Sequence, residues 1–143
     1  MASIRKMKES DSRVVASLIS QLGYIVTNEE VQLQYLNITE NNGAGIFVAV
    51  SEDDKIVGWV HMSIYHSLII GRMAIVLGIV VDEALRNKGI GRLLMQAGAE
   101  WARNNDCIGI KLNSGAERED AHMFYLKNGF KMKKSQLAFV KML

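Results

Sequence analysis

Arg86-Asn87-Lys88-Gly89-Ile90-Gly91-Arg92 separates an unbroken apolar run, Met73 to Val81, from a stretch in which Ile90, Leu93, Leu94, Ala97 and Trp101 recur at helical spacing. Consecutive apolar positions predict a central strand covered on both faces. The residues after the helix, Cys107 to Leu112, read as another strand, with Cys107 a small buried hydrophobe in it. Strand, helix and strand in this order imply a right-handed crossover between parallel strands. The junction itself is the informative part. Glycines allow a backbone to approach a ligand closely, and the free N–H groups of a helix start bind anions. A phosphate site is one reading; a tight strand-to-helix turn needing left-handed backbone angles is the other. The junction is not a Walker loop, because no Gly-Lys-Ser/Thr follows, and Leu94 stands where a dinucleotide fingerprint has its third glycine.

Outward from this centre, Ile46 to Val50 and Ile56 to Tyr65 form a predicted hairpin around the polar turn Ser51 to Lys55, and an irregular link, His66 to Arg72, leads into the central strand. Upstream, Ser3 to Lys8 reads as a short strand. Val14, Val15, Leu18, Ile19 and Leu22 predict a helix that stops at Gly23. Thr27 with Glu30 forms a capping box for a second helix through Val31, Tyr35 and Leu36, ending in Asn41-Asn42-Gly43. Downstream, a helix through Ala121, Phe124 and Tyr125 ends at Asn128-Gly129, and strand patterns follow at Phe130 to Lys133 and Gln136 to Met142. The fold class is α/β with a mixed sheet.

A chain of 143 residues, 49% hydrophobic and 22% charged, predicts one globular domain over residues 1–143. There is no proline, linker, repeat or low-complexity tract. Lys and Arg number 17 against 15 Asp and Glu, a net charge of +2, which argues against a nucleic-acid partner and leaves room only for a local basic site. Cys107 with His61, His66 and His122 has no zinc spacing, so no metal is expected. The longest apolar run is far below the roughly 20 residues of a spanning helix, and MASIRKMKES has no secretory apolar core. A cytoplasmic protein without a membrane partner is the expectation.

Three stretches agree on a more specific reading: Ile79-Val80-Val81, the loop with Arg86, Gly89 and Gly91, and Ala121-His122-Met123-Phe124-Tyr125-Leu126-Lys127-Asn128-Gly129-Phe130. Together they resemble the GNAT superfamily of acetyl-CoA-dependent N-acetyltransferases, and the element order resembles that family over nearly the whole chain. The resemblance implies a GNAT-like α/β fold, a central mixed, mostly antiparallel sheet of roughly six to seven strands with about four flanking helices. It implies acetyl-CoA as cosubstrate. The backbone of Ile79, Val80 and Val81 would pair with the pantetheine arm, and the amides of Asn87, Lys88, Gly89, Ile90, Gly91 and Arg92 would hold the pyrophosphate. Arg86, Lys88 and Arg92 would add positive charge. Arg118, standing where asparagine is frequent, and Phe124 fall at cofactor positions, while Glu83 replaces a frequent proline. Gly78 would mark the opening of the sheet to the cofactor, or else simple crowding under a helix.

By the same resemblance Tyr125 would face the thioester sulfur; packing beside Phe124 is its structural alternative. A phenol of pKa about 10 cannot fully protonate a thiolate whose acid has pKa about 8.5, so hydrogen-bond stabilisation is expected. The family often places a carboxylate on or near the fourth strand as base, and Met73 to Leu77 offers none. His61, His122 and Glu52 remain, histidine being favoured by its pKa of about 6.5, and each also has a structural reading. Water-relayed deprotonation with no single essential base is the expected route. The implied reaction is direct attack of a primary amine on acetyl-CoA in a ternary complex. The acceptor is expected to be a small-molecule amine, such as a polyamine, an aminoglycoside or an amino-acid derivative, bound by the early helices and the His66 to Arg72 link, with Met62 or Met73 lining the pocket. The alternatives are protein or peptide N-acetylation, or a non-catalytic CoA-binding regulatory module; a homodimer is left open.

Overall fold

The central apolar run becomes β4 (Gly71–Val81) in the computed structural model, which describes residues 1–143. The sheet order is β1 (Ser3–Lys6), β2 (Ala44–Val50), β3 (Ile56–Ser67), β4 and β5 (Ile110–Leu112), so chain neighbours pair throughout. The first three pairings are antiparallel; only β4 with β5 is parallel, after α3 (Ile90–Asn104) has crossed between them. All of this lies in one unit, Met1–Leu112, and Asn113–Leu143 forms a second. The architecture is α/β with a mixed sheet, as expected.

Each face of the sheet has its own helices. α1 (Ser12–Ser20) lays Val15 and Leu18 in one core with Val48, Val50, Trp59 and Val80, and Tyr35 of α2 (Asn28–Thr39) packs against that core. The capping box expected at Thr27 forms, with Glu30 N–H donating to Thr27 Oγ1 at 3.0 Å and Thr27 N–H to Glu30 Oε2 at 3.0 Å. On the other face α3 buries Ile90, Leu94, Met95, Gly98 and Ala102. Its start comes close to the sheet because Gly58 has no side chain: a Cβ there would lie 2.8 Å from the Val80 carbonyl oxygen and 3.1 Å from Leu94 Cδ1. Complete burial of a leucine such as Leu94 is worth roughly 1.5–3 kcal/mol, so this contact anchors the helix N-terminus firmly.

Several expectations are corrected. The link His66 to Arg72 is mostly strand, since His66 pairs with Arg72 and Ser67 with Gly71, leaving only Leu68, Ile69 and Ile70 as the tip. So tight a tip is feasible because Ser67 Oγ accepts from the N–H groups of Ile69 and Ile70 and Gly71 takes φ +101. β5 begins at Ile110, and Cys107 lies before it, half-buried, its N–H bound to the Ala102 carbonyl at the end of α3. The strands read at Phe130 to Lys133 and Gln136 to Met142 do not form, so the sheet has five strands rather than six or seven. Alternation describes the two faces of a strand but supplies no partner edge, and without a ladder an apolar alternation remains exposed, as Phe139 is at 88%. The second unit's only regular element is α4 (Glu119–Lys127).

Candidate active site

Two features of β4 open one edge of the sheet. The ladder with β3 pairs His61 with Gly78 and then Met62 with Val76, so Leu77 is an extra residue, a bulge, and is 57% exposed. The ladder with β5 covers only Ala74, Ile75 and Val76. From Leu77 to Val81 no strand therefore pairs with the outer edge of β4. That edge contains Ile79, Val80 and Val81, the positions expected to pair with an extended ligand. Val80 faces the α1 core, while Ile79 and Val81 sit opposite Val60 and Gly58. The two faces of β4 are covered as expected except at the bulged Leu77; what the strand lacks from Leu77 to Val81 is a partner on its outer edge.

Gly78 combines both readings of it. It adjoins the bulge, and a Cβ on it would lie 2.6 Å from Cη2 of Trp59, so the crowding comes from an indole on the neighbouring strand rather than from a helix. Trp59 is 9% exposed and its Nε1 is buried without a hydrogen-bond partner.

The edge runs directly into the junction Arg86 to Arg92. Asp82 caps a short 3-10 turn, Glu83–Leu85, by accepting from the Ala84 N–H at 3.1 Å. Asn87 and Gly89 then take left-handed backbone angles, φ +63 and +83. Gly89 is the N-cap of α3, supplies no side-chain cap, and has no atom within 4 Å of the position its Cβ would take. The first helical bond closed is Leu93 N–H to the Gly89 carbonyl, which leaves the N–H groups of Ile90, Gly91 and Arg92 directed out of the helix end. Arg86, Lys88 and Arg92 are exposed, none is ion-paired, and no acidic residue occupies the first turn. Open space, free donors, the positive end of a helix and three unpaired cations fit a pyrophosphate. Arg86 also turns back to its own strand, Nε lying 3.4 Å from the Val81 carbonyl.

His61 occupies the same face of β3 as Trp59, two residues on, between Ile46 of β2 and Gly78 of β4. It is half-buried, no hydrogen bond fixes its ring, and burial lowers its pKa below the ordinary value. Glu52 lies apart on the exposed turn between β2 and β3, where the N-terminal ammonium pairs with it and holds its pKa down. No three His, Cys, Asp or Glu side chains come together as a metal site.

In the second unit, Tyr125 packs edge-on between Phe124 and Phe130, with ring centroids 5.5 and 5.9 Å away. Gly129 at φ +88 lets the chain turn so that Phe130 N–H reaches the Tyr125 carbonyl at 3.0 Å. Burial raises the phenol pKa, and the charge of Arg118, the N-cap residue of α4, draws it partly back. His122 takes a structural position: its Nε2 lies 2.8 Å from the Gly115 carbonyl and ties the helix to the loop before it.

The sequence does not mark the bulge at Leu77 or the indole beside Gly78, because an unbroken apolar run gives no sign of which residue lacks a partner. Only Gly78 itself was a signal.

Residues 13–130 match the Acetyltransferase (GNAT) family, and the chain belongs to that family. The uncharacterized N-acetyltransferase YhdJ of Bacillus subtilis is 40% identical over 53 residues, a match spanning 36% of this chain and 37% of that protein. Among solved structures, glucosamine-6-phosphate N-acetyltransferase from Arabidopsis thaliana superposes with a TM-score of 0.82 at 23% identity, covering 98% of each chain. AAC(6')-Iy in complex with the bisubstrate analog CoA-S-monomethyl-acetylneamine superposes with a TM-score of 0.88 at 19% identity, covering 100% of this chain and 99% of the other. At such identities the structural likeness bears on the fold. No helix is long and apolar enough to cross a membrane.

Proposed function

We propose that this protein is an N-acetyltransferase that moves the acetyl group of acetyl-CoA to a primary amine of a small molecule by direct attack in a ternary complex. The observation that carries the reading is the continuity of the unpaired edge Leu77 to Val81 with the open, cationic helix start at Gly89 to Arg92. An extended arm bearing amides and ending in a pyrophosphate matches that sequence of surfaces. Family membership supports the same cosubstrate, and the CoA conjugate named with one structural neighbour accords with it.

In this reading Ile79 and Val81 offer backbone groups to the pantetheine arm, and the amides from Asn87 to Arg92 bind the pyrophosphate with Arg86, Lys88 and Arg92 beside them. Arg118 and Phe124 stand at positions that the family gives to the cofactor. The amine nitrogen attacks the thioester carbonyl, forming the C–N bond as the C–S bond breaks. Tyr125, protonated at neutral pH as any phenol is and held further from ionisation by burial, donates a hydrogen bond to the departing sulfur. The amine's proton leaves through water, and His61, neutral at pH 7 because its pKa is lowered, is the side chain that water reaches. The same reading treats residues 1–143 as one N-acetyltransferase domain. We place the reaction in the cytoplasm, where the free thiol of Cys107 is stable.

Amino-sugar chemistry in the names of both structural neighbours favours a small-molecule acceptor. The test is thiol release from acetyl-CoA with a panel of polyamines, amino sugars, amino-acid derivatives and peptides, with the product identified by mass spectrometry. Acetylated small amines are expected. Turnover confined to peptides would reassign the acceptor, and acetyl-CoA binding with no turnover on any amine would make the chain a non-catalytic CoA-binding module.

A further inference from the structure

The segment that delivers the chain from β4 to the phosphate loop is held from a distant point in sequence. Gln21, the residue that ends α1, reaches across with both ends of its amide. Its Oε1 accepts the Glu83 N–H at 2.9 Å, and its Nε2 approaches Asp82 Oδ1 at 3.4 Å. The same Asp82 oxygen accepts from the Ala84 N–H. One amide and one carboxylate therefore fix the 3-10 turn Glu83–Leu85, from which Arg86 and the left-handed Asn87 follow directly. A non-glycine residue in the left-handed region carries a conformational cost, so a loop built on Asn87 depends on its flanks to keep one shape. One flank is anchored by Ile90 and Leu94 beside Gly58. Gln21 and Asp82 hold the other.

We propose that Gln21, through Asp82 and the Glu83 N–H, is a positioning residue that pre-shapes the phosphate loop for the pyrophosphate of acetyl-CoA. This rests on the reading of that loop as the cofactor site. A pre-shaped loop spends less of its binding free energy on ordering. Loss of the latch therefore weakens cofactor binding and leaves the chemistry of the bound complex unchanged.

The experiment measures the acetyl-CoA Kd by calorimetry, kcat and KM, and the melting temperature of the ligand-free protein, for wild type and three variants. Gln21→Ala is expected to raise Kd and the acetyl-CoA KM about three- to tenfold, the range of one or two modest hydrogen bonds, with kcat within about twofold. Gln21→Glu keeps the acceptor for Glu83 but sets a carboxylate against Asp82, and the affinity should fall at least as far. Gln21→Glu combined with Asp82→Asn removes the carboxylate–carboxylate clash and leaves the net charge as in the wild type, but the amide at position 82 cannot through one atom both donate to position 21 and accept the Ala84 N–H, as Asp82 Oδ1 accepts both contacts now. This double variant is expected to recover part of the affinity that Gln21→Glu loses. Unchanged affinity in a folded Gln21→Ala protein overturns the proposal, as does a lowered melting temperature with no change in Kd, or a double variant no better than Gln21→Glu alone. If the wild type itself fails to bind acetyl-CoA, the cofactor-site reading falls and this inference falls with it; wild-type binding with indifferent variants removes the latch alone.

Discussion

His61 stands opposite Gly78 across the ladder between β3 and β4, and at the next step the register slips, pairing Met62 with Val76. A titratable ring is thereby set at the level where the outer edge of β4 loses its strand partner. Its neighbour on that level has no side chain, and the space above Gly78 is taken by Trp59. The arrangement ties the acid–base question to the geometry of the bulge.

The glycine-rich junction is the first point to test. Val at position 91 places a branched side chain where, in the proposed function, a pyrophosphate meets the backbone, while Val is a better helix former than Gly and does not weaken α3. Gly91→Val is expected to fold and to bind acetyl-CoA more than about tenfold more weakly, about 1.4 kcal/mol, by calorimetry. Unchanged affinity would remove the phosphate-loop assignment.

Tyr125→Phe retains the edge-on packing with Phe124 and Phe130 and deletes only the hydroxyl. In the proposed reaction that group acts as charge develops on sulfur, so kcat is expected to fall about 10²–10⁴-fold with little change in Kd for acetyl-CoA. Wild-type turnover in the Phe variant across the pH range would make Tyr125 a packing residue.

The pH dependence separates His61 from the substrate amine. An alkyl amine has a pKa of about 10.4, so kcat/KM should rise from pH 7 toward that value with wild type and His61→Ala alike. His61 adds a second limb: activity is lost as pH falls through its lowered pKa, below about 6.5, and this inflection should vanish in His61→Ala. Stability follows the same sign. The unfolded chain protonates His61 near pH 6.5 before the folded protein does, so its contribution is intact above that pH and is lost below it. Thermal melts from pH 8 to pH 5, at about half-unit steps, should show a steeper decline for wild type than for His61→Phe. Parallel curves would show that His61 is solvated rather than buried.

Gly78→Ala tests the crowding at the bulge. With a Cβ 2.6 Å from Trp59 Cη2, the indole must move, at a cost of about 1–3 kcal/mol in denaturant unfolding. Combining it with Trp59→Phe, whose shorter ring lacks that carbon, should recover part of the loss. Additive losses in the double variant would show that the glycine is needed for the bulge itself.

Much of this protein is determined by local sequence. The capping box of Thr27 and Glu30, the stop at Gly23, the α3 stripe from Ile90 to Trp101 and the glycines around the loop act within one or two turns of chain, so their residues alone dictate the outcome. The same holds for the Tyr125 to Phe130 turn, closed by Gly129. What only the tertiary structure decided concerns pairing partners. β5 is three residues long, which leaves the outer edge of Leu77 to Val81 without a partner; the extra residue at Leu77 sits inside an apolar run that does not mark it; and the patterns after Gly129 find no ladder. Gln21 reaches Asp82 and Glu83 across about sixty residues of sequence. Periodicity reports which side of an element faces the core. It carries no record of which edge will find a neighbour, because backbone hydrogen bonds are the same for every residue type except proline, and their partners are assigned only when the sheet assembles.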